Sequence, residues 1–289
     1  MINELPEAST IKLIATDLDG TLLNQEGKIS KKTETVIKKV LEKYPDLHFV
    51  IVTGRTRPAT ASIRETLGIT NRPNTESLNS NGCVVFDSVG NVTCQNTLPN
   101  EYILKFHKLL NSYPKAVYAY TYSDHLITFD EKLAKKAHEM IQENFIVGNK
   151  EEHIKTVISD EARINKVCFF SVGPDSEEIK KELEKLGKEY NLEYAHYGQF
   201  AIEYMPKNTN KGTGMTKLIK ELNIKKEEVI AFGDGGNDLE FLQSVGWPVA
   251  MENCYPQLKQ YAKIFAKSNK EDGVADILER IFLKEDLTN

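Results

Sequence analysis

The 289 residues are 40% hydrophobic and 27% charged, the balance of an ordinary globular protein long enough for two domains. A net charge of −5 argues against a nucleic-acid binder, which presents a basic surface. It leaves a small phosphorylated substrate open, because only the local field at a site matters there. No apolar run reaches the ~20 residues that span a bilayer, so no membrane is expected. Met1 to Thr10 lacks the basic-then-apolar order of a signal peptide. Cys83, Cys94, Cys168 and Cys254 have no metal-type spacing and read as free thiols, so a cytoplasmic protein is expected, with no protein partner legible.

The apolar run Ile11 to Thr16 predicts a strand that ends in Asp17-Leu18-Asp19-Gly20-Thr21. A helix starts near Ser30, with Val36, Ile37, Val40, Leu41 and Tyr44 at helical spacing, and Pro45 stops it. His48 to Val52 is a second strand, ending in Thr53-Gly54-Arg55. A helix from about Pro58 to Leu67 is closed by Gly68, and Leu78 to Phe86 is a third strand interrupted at Ser80-Asn81-Gly82. This alternation predicts a parallel sheet with right-handed crossovers.

The pattern changes after Asp87. Val117 to Tyr122 alternates, placing Tyr118, Tyr120 and Tyr122 on one face, and His125 to Phe129 is its hairpin partner. Lys166 to Val172 is another strand, followed by a charged helix from Ser176 to Tyr190 and a hairpin of Glu193–His196 with Phe200–Tyr204. Near-neighbour strands with two helices predict an α+β module. From Met205-Pro206 the first pattern returns, with helices over 212–222, 238–244 and 273–284 and strands over 229–233, 248–251 and 264–266. The expected fold is α/β: a doubly wound, Rossmann-like core of residues 1–87 and 205–289, with an α+β domain of residues 88–204 inserted.

Two acidic clusters stand at predicted strand ends more than two hundred positions apart. Asp17 and Asp19 follow the first strand, and Asp234 and Asp238 lie in Gly233-Asp234-Gly235-Gly236-Asn237-Asp238. Open α/β sheets bind ligands at the carboxyl ends of their strands. If the two strands are neighbours the carboxylates converge, and hard oxygen donors then select magnesium. A lone D-x-D is commonplace on solvated loops; the strand before it and Gly20-Thr21 after it give this one weight. Asn237 or Asp238 also reads as a cap for the helix at Leu239, which leaves two carboxylates flanking two glycines unexplained. Thr53 and the free N–H groups beside Gly54 suit phosphate oxygens. Lys211, at a glycine-rich helix start, suits an anion clamp, against the plain reading of a solvated lysine. Arg55 is either a helix-start residue paired nearby or a substrate contact. The three tyrosines read as a half-buried face, and His125 and His196 as surface histidines.

In order and spacing these segments resemble the haloacid-dehalogenase superfamily of phosphotransferases. Asp17-Leu18-Asp19-Gly20-Thr21 is similar to its first motif, Thr53-Gly54-Arg55 to its second, Lys211-Gly212 to its third and Gly233 to Asp238 to its fourth. Ser80-Asn81-Gly82 and Val249-Ala250-Met251 resemble the Cof-type subgroup, whose type IIB cap is inserted at the same place. The resemblance implies a magnesium-dependent phosphatase for small phosphomonoesters, sugar phosphates first. It implies Asp17 as nucleophile, forming an aspartyl-phosphate, and Asp19 as acid and then base. Asp17, the backbone carbonyl of Asp19 and Asp234 would hold Mg2+, with Asp238 as a partner or indirect ligand. Thr53, the N–H groups of Leu18 and Gly54, Lys211 and Asn237 would hold the phosphoryl oxygens. A phosphomutase using the same aspartate pair and a non-catalytic phosphometabolite-binding protein are the alternatives. One departure stands out: Glu252-Asn253-Cys254 follows Met251 where the subgroup has Gly-Asn-Ala, placing a charge and a Cβ in that loop.

Overall fold

A computed structural model describes residues 5–141 and 143–284, so Met1 to Glu4 and residues 285–289, counted above with the N-terminal segment and the core, lie outside the described residues. In chain order the first part supplies β1 (Leu13–Thr16), α1 (Lys31–Lys43), β2 (His48–Val52), α2 (Ala61–Thr66), β3 (Ser77–Asn79), β4 (Val84–Phe86) and β5 (Val92–Gln95). The middle supplies α3 (Asn100–Asn111), β6 (Val117–Thr121), β7 (Leu126–Thr128), α4 (Glu131–Ile141), β8 (Phe145–Val147), α5 (Lys150–Ile158), β9 (Lys166–Phe170), α6 (Ser176–Glu189), β10 (Glu193–Tyr197) and β11 (Ala201–Met205). The chain then returns through α7 (Lys211–Glu221), β12 (Val229–Gly233), α8 (Leu239–Gln243), β13 (Trp247–Met251), β14 (Ile264–Ala266) and α9 (Gly273–Phe282).

The first sheet has the order β14-β13-β12-β1-β2-β3-β4-β5 and is parallel from β14 to β3. Its central strands are continuously apolar because helices cover both faces. Ile14, Phe49, Ile51, Ile230 and Phe232 pack with α1 and α9, and Leu13, Ala15, Val50, Val229 and Ala231 pack with α7 and α8. β1 and β12 are direct neighbours, with Thr16 opposite Phe232. Asp17 and Asp234 therefore leave the sheet side by side, where α/β sheets place their ligands.

Two expectations are corrected. The third strand is two strands, β3 and β4, paired antiparallel, because Ser80 (φ +51°), Asn81 (φ +57°) and Gly82 (φ +86°) are all left-handed and reverse the chain. β5 pairs with β4 as the edge strand of the first sheet. The inserted part carries four helices, α3 to α6, where two were expected.

The second sheet has the order β10-β11-β9-β6-β7-β8 and is antiparallel except between β7 and β8. Tyr118 and Tyr120 point into a buried core with Tyr102, Phe106, Phe169 and Leu183 of this domain, so the tyrosine face is packing rather than a binding surface. Lys166, Cys168, Ala201 and Glu203 line the cavity between the two sheets. Among the described residues no helix is long and apolar enough to cross a membrane.

Candidate active site

Asp17 is the first residue past β1, 5% exposed, and its N–H donates to the Phe232 carbonyl at 3.0 Å. One oxygen each from Asp17, Asp234 and Asp238 lie within 4.8 Å of one another. Lys211 is the first residue of α7, a start fixed by the Asn210 side chain accepting from the Thr213 N–H at 2.9 Å. Its ammonium is 1% exposed and donates to Asp17 Oδ1 and Asp238 Oδ1, both at 2.6 Å. Asp238 does not cap α8 with its side chain. Its Oδ2 instead accepts the N–H groups of Asp234 (3.0 Å) and Gly235 (2.9 Å), closing its own loop. Asp234 Oδ1 accepts from the Thr21 hydroxyl at 2.7 Å. Gly20, at φ +85°, leaves the room Asp234 fills: a Cβ there would fall 2.2 Å from Asp234 Oδ2.

Of the three carboxylates, Asp17 and Asp238 thus share one lysine. Burial, then the neighbouring Asp238 and Asp234, pushes Asp17 well above the usual carboxylate range although Lys211 opposes it. Burial also lifts Asp234 to about 6. Burial would pull Lys211 down, but Asp17 and Asp238 outweigh it and hold the ammonium charged. The site's excess of negative charge and its hard oxygen donors fit a divalent metal ion.

Above the carboxylates lies a cavity of about 530 Å³ between the two sheets, the size of a small-molecule site. Asp17, Asp19, Thr53, Gly54 and Asn237 line it, while Lys211, Asp234 and Asp238 are off its wall, joined to it through Asp17. Leu18 is fully buried, its carbonyl accepting from Thr21, Leu22 and Leu23 N–H groups. Arg55 pairs with Asp19 through two hydrogen bonds, Nε to Oδ2 at 2.8 Å and a terminal nitrogen to Oδ1. Arg55 makes the nearby ion pair and also lines the cavity. Asn237 Nδ2 donates to Asn81 Oδ1 at 3.0 Å.

Several lining residues escaped the sequence. Lys166, Glu203 and Glu143 bring three buried ionisable groups from the part of the chain that builds the second sheet, and Leu126, Phe145 and Phe170 add an apolar wall. His196, expected as a surface residue, is exposed yet also borders the cavity. Glu252 is exposed, and it is not among the residues with positive φ, so no glycine-only conformation is demanded of it. Its loop is tied down by Asn253 Nδ2 to the Gly20 carbonyl (2.8 Å) and by the Tyr255 N–H to the Asp234 carbonyl (2.7 Å).

The profile of the haloacid dehalogenase-like hydrolases matches residues 14–278. An uncharacterized hydrolase of Schizosaccharomyces pombe is 30% identical over 99% of this chain and 96% of its own length. A Bacillus subtilis protein named 5-amino-6-(5-phospho-D-ribitylamino)uracil phosphatase is 28% identical over 94% of this chain and 98% of its own. Among solved structures, a haloacid dehalogenase-like hydrolase from Bacteroides thetaiotaomicron shares the fold with a TM-score of 0.78, covering 94% of this chain and all of its own at 23% identity. This chain belongs to the haloacid dehalogenase-like hydrolases, in their Cof-type subgroup, and is a phosphatase.

Proposed function

We propose that this phosphatase hydrolyses small phosphomonoesters, sugar phosphates first, with magnesium and through an aspartyl-phosphate on Asp17. One observation carries the reading: a buried aspartate at a strand end, held by a buried lysine, faces a cavity with two further carboxylates beside it. Asp17, Asp234 and the backbone of Asp19 would hold Mg2+, with Asp238 bonded to the loop that carries Asp234. Bound there, the ion neutralises charge on the phosphoryl group and so lets an anionic nucleophile approach. Residues 88–204 form the cap in this proposal, closing the cavity against bulk water over a core of residues 1–87 and 205–289.

An oxygen of Asp17 attacks phosphorus while the bond to the leaving oxygen breaks, and Asp19 gives that oxygen its proton. Water then attacks the aspartyl-phosphate, Asp19 takes its proton, and the bond from phosphorus to Asp17 breaks to release orthophosphate. Both oxygens of Asp19 accept from Arg55, so to act as the acid this carboxyl exchanges a guanidinium donor for a proton taken up from solvent before a substrate oxygen reaches it. Thr53, the N–H groups of Leu18 and Gly54, Lys211 and Asn237 would hold the equatorial phosphoryl oxygens, which is chiefly positioning and electrostatics. Four free cysteines fit a reducing cytoplasm. A second substrate class has support from the wall of Leu126, Phe145 and Phe170, which suits a planar heterocycle as well as a sugar. The name of the Bacillus subtilis relative points the same way.

The test is phosphate release from a panel of hexose, pentose and polyol phosphates and the ribitylaminouracil phosphate, with and without Mg2+, beside Asp17→Asn. Release that needs the metal and is lost in the variant is expected, with the dephosphorylated alcohol as product. Release that persists in Asp17→Asn ends the aspartyl-phosphate reading, and a phosphate moved along one substrate without release establishes a mutase.

A further inference from the structure

The loop from Thr53 to Thr56 is gripped from both domains. From the first domain, the Thr53 carbonyl accepts from Asn81 N–H (2.9 Å), and the Arg55 carbonyl from Ser80 N–H (3.0 Å) and Asn79 Nδ2 (3.1 Å). From the inserted domain, Lys166 Nζ donates to the Gly54 carbonyl at 2.8 Å. The Thr56 N–H and hydroxyl donate to the two oxygens of Glu143 at 2.8 and 2.6 Å.

Lys166 is 3% exposed and pairs with Glu203 at 2.6 Å, on the adjacent strand β11. The other oxygen of Glu203 accepts from Asn81 Nδ2 (2.9 Å) and the Tyr197 hydroxyl (3.1 Å). Asn81 in turn accepts from Asn237. A continuous chain of bonds therefore runs from the Gly54 carbonyl through Lys166, Glu203 and Asn81 to Asn237. A buried ion pair is weak as a source of stability, since apolar residues of the same volume often do as well. The left-handed Ser80 and Asn81 also carry strain that persists only where the surroundings hold it. Both costs meet at the loop proposed to bind phosphate.

We propose that Lys166 and Glu203 are positioning residues that set the phosphate-binding loop, so that this loop takes its working shape only with the inserted domain seated; this rests on the reading of Thr53, Gly54 and Asn237 given above. The Gly54 carbonyl shares a peptide plane with the Arg55 N–H, which donates to Thr53 Oγ1 at 3.2 Å. Fixing that plane fixes a lone pair of the Thr53 hydroxyl and leaves its proton to be donated to a ligand. Gly54 is pressed from the same side: a Cβ there would stand 2.8 Å from the Tyr197 hydroxyl and 3.2 Å from Asn81 Oδ1.

The test uses Lys166→Met, Glu203→Gln and the double variant Lys166→Met/Glu203→Met, whose apolar pair keeps the fold if a single variant does not. Orthovanadate, a mimic of the phosphoryl group with no leaving group, is titrated with Mg2+ present, alongside Mg2+ titration alone, thermal unfolding and steady-state kinetics. Each folded variant is expected to bind orthovanadate at least about tenfold more weakly and to lose about 10- to 100-fold in kcat, the scale of a misplaced positioning group. Mg2+ binding should stay within about twofold, because its ligands lie on other loops. A folded double variant with wild-type orthovanadate binding overturns the proposal. So does a change confined to KM that varies with the leaving group, which makes the pair a substrate contact instead. Wild-type protein that releases no phosphate but binds orthovanadate loses the phosphatase reading alone, and the variants still judge the loop. Wild-type protein that binds no orthovanadate overturns the loop assignment itself.

Discussion

Lys211 shows how much of the site depends on one side chain. Its ammonium is 1% exposed and is the hydrogen-bonded cation shared by Asp17 and Asp238. Lys211→Met leaves two buried carboxylates without that partner, a change that costs about 3–5 kcal/mol in comparable buried pairs. Urea unfolding without metal should show that loss. Asp17→Asn added to Lys211→Met should recover part of it, because one of the stranded charges is gone. A loss below about 1 kcal/mol would mean that water or protonation satisfies the carboxylates, and the pair would then be no stronger than a surface one. Gly20→Ala probes the same cluster from the opposite side. Its Cβ would meet Asp234 at 2.2 Å in a left-handed conformation, so calorimetry should show weaker Mg2+ binding. Unchanged Mg2+ affinity in folded Gly20→Ala would remove Asp234 from the proposed ligand set.

At the scale of elements, the start of α7 is set by glycine against glycine. A Cβ on Gly82 (φ +86°) would lie 2.4 Å from the Asn210 carbonyl oxygen, and one on Gly214 would lie 2.6 Å from Leu78. Gly82→Ala must push away the helix start that carries Lys211, so a loss of about 2–3 kcal/mol is expected. The kcat should fall with it, and an unfolding midpoint and kcat both equal to wild type would refute the argument. Such backbone approaches were not legible in the sequence; what was legible is what repeats along it. β1 and β12 announce themselves as apolar runs ending in glycine and carboxylate, and β2 as one ending in Thr53-Gly54-Arg55, and Asp17, Lys211, Asp234 and Asp238 do converge. The helix α3 carried a signal that could have been read, with Tyr102, Ile103, Phe106 and Leu110 buried at helical spacing. α5 carried little, burying only His153 and Val157. Lys166 and Glu203 were hidden for a different reason. Both sit in strands buried on each face, where a period of two marks no special position and a charge reads as an edge residue.

At the scale of the whole molecule, the surroundings of the two sheets answer pH with opposite signs. Beside the second sheet His153 is buried against Tyr120, and its Nε2 has no hydrogen-bond partner among the described residues. Burial, then His107, pulls it from 6.5 to about 4. The unfolded chain therefore binds the extra proton between those values, so this contribution is complete above about 6.5 and is lost as pH falls toward 4. His153→Phe should flatten that part of the acid unfolding curve. The carboxylate site has the other sign. Asp234 is raised from 3.8 to about 6 and Asp17 is raised as well, so their contribution is complete at low pH and is lost as pH rises through about 6. A cation that binds the ionised carboxylates reverses this loss, and its stabilisation grows with pH because protons no longer compete. Thermal unfolding with and without Mg2+ should accordingly show a clear rise in midpoint at about pH 7.5 and little at about pH 5, where Asp234 holds its proton. The rise should shrink in Asp17→Asn and survive in His153→Phe, since the two sites lie beside different sheets. An Mg2+ effect of equal size at both pH values would show that the ion binds elsewhere on the surface, and the acidic cluster would then owe its strain to the protein alone.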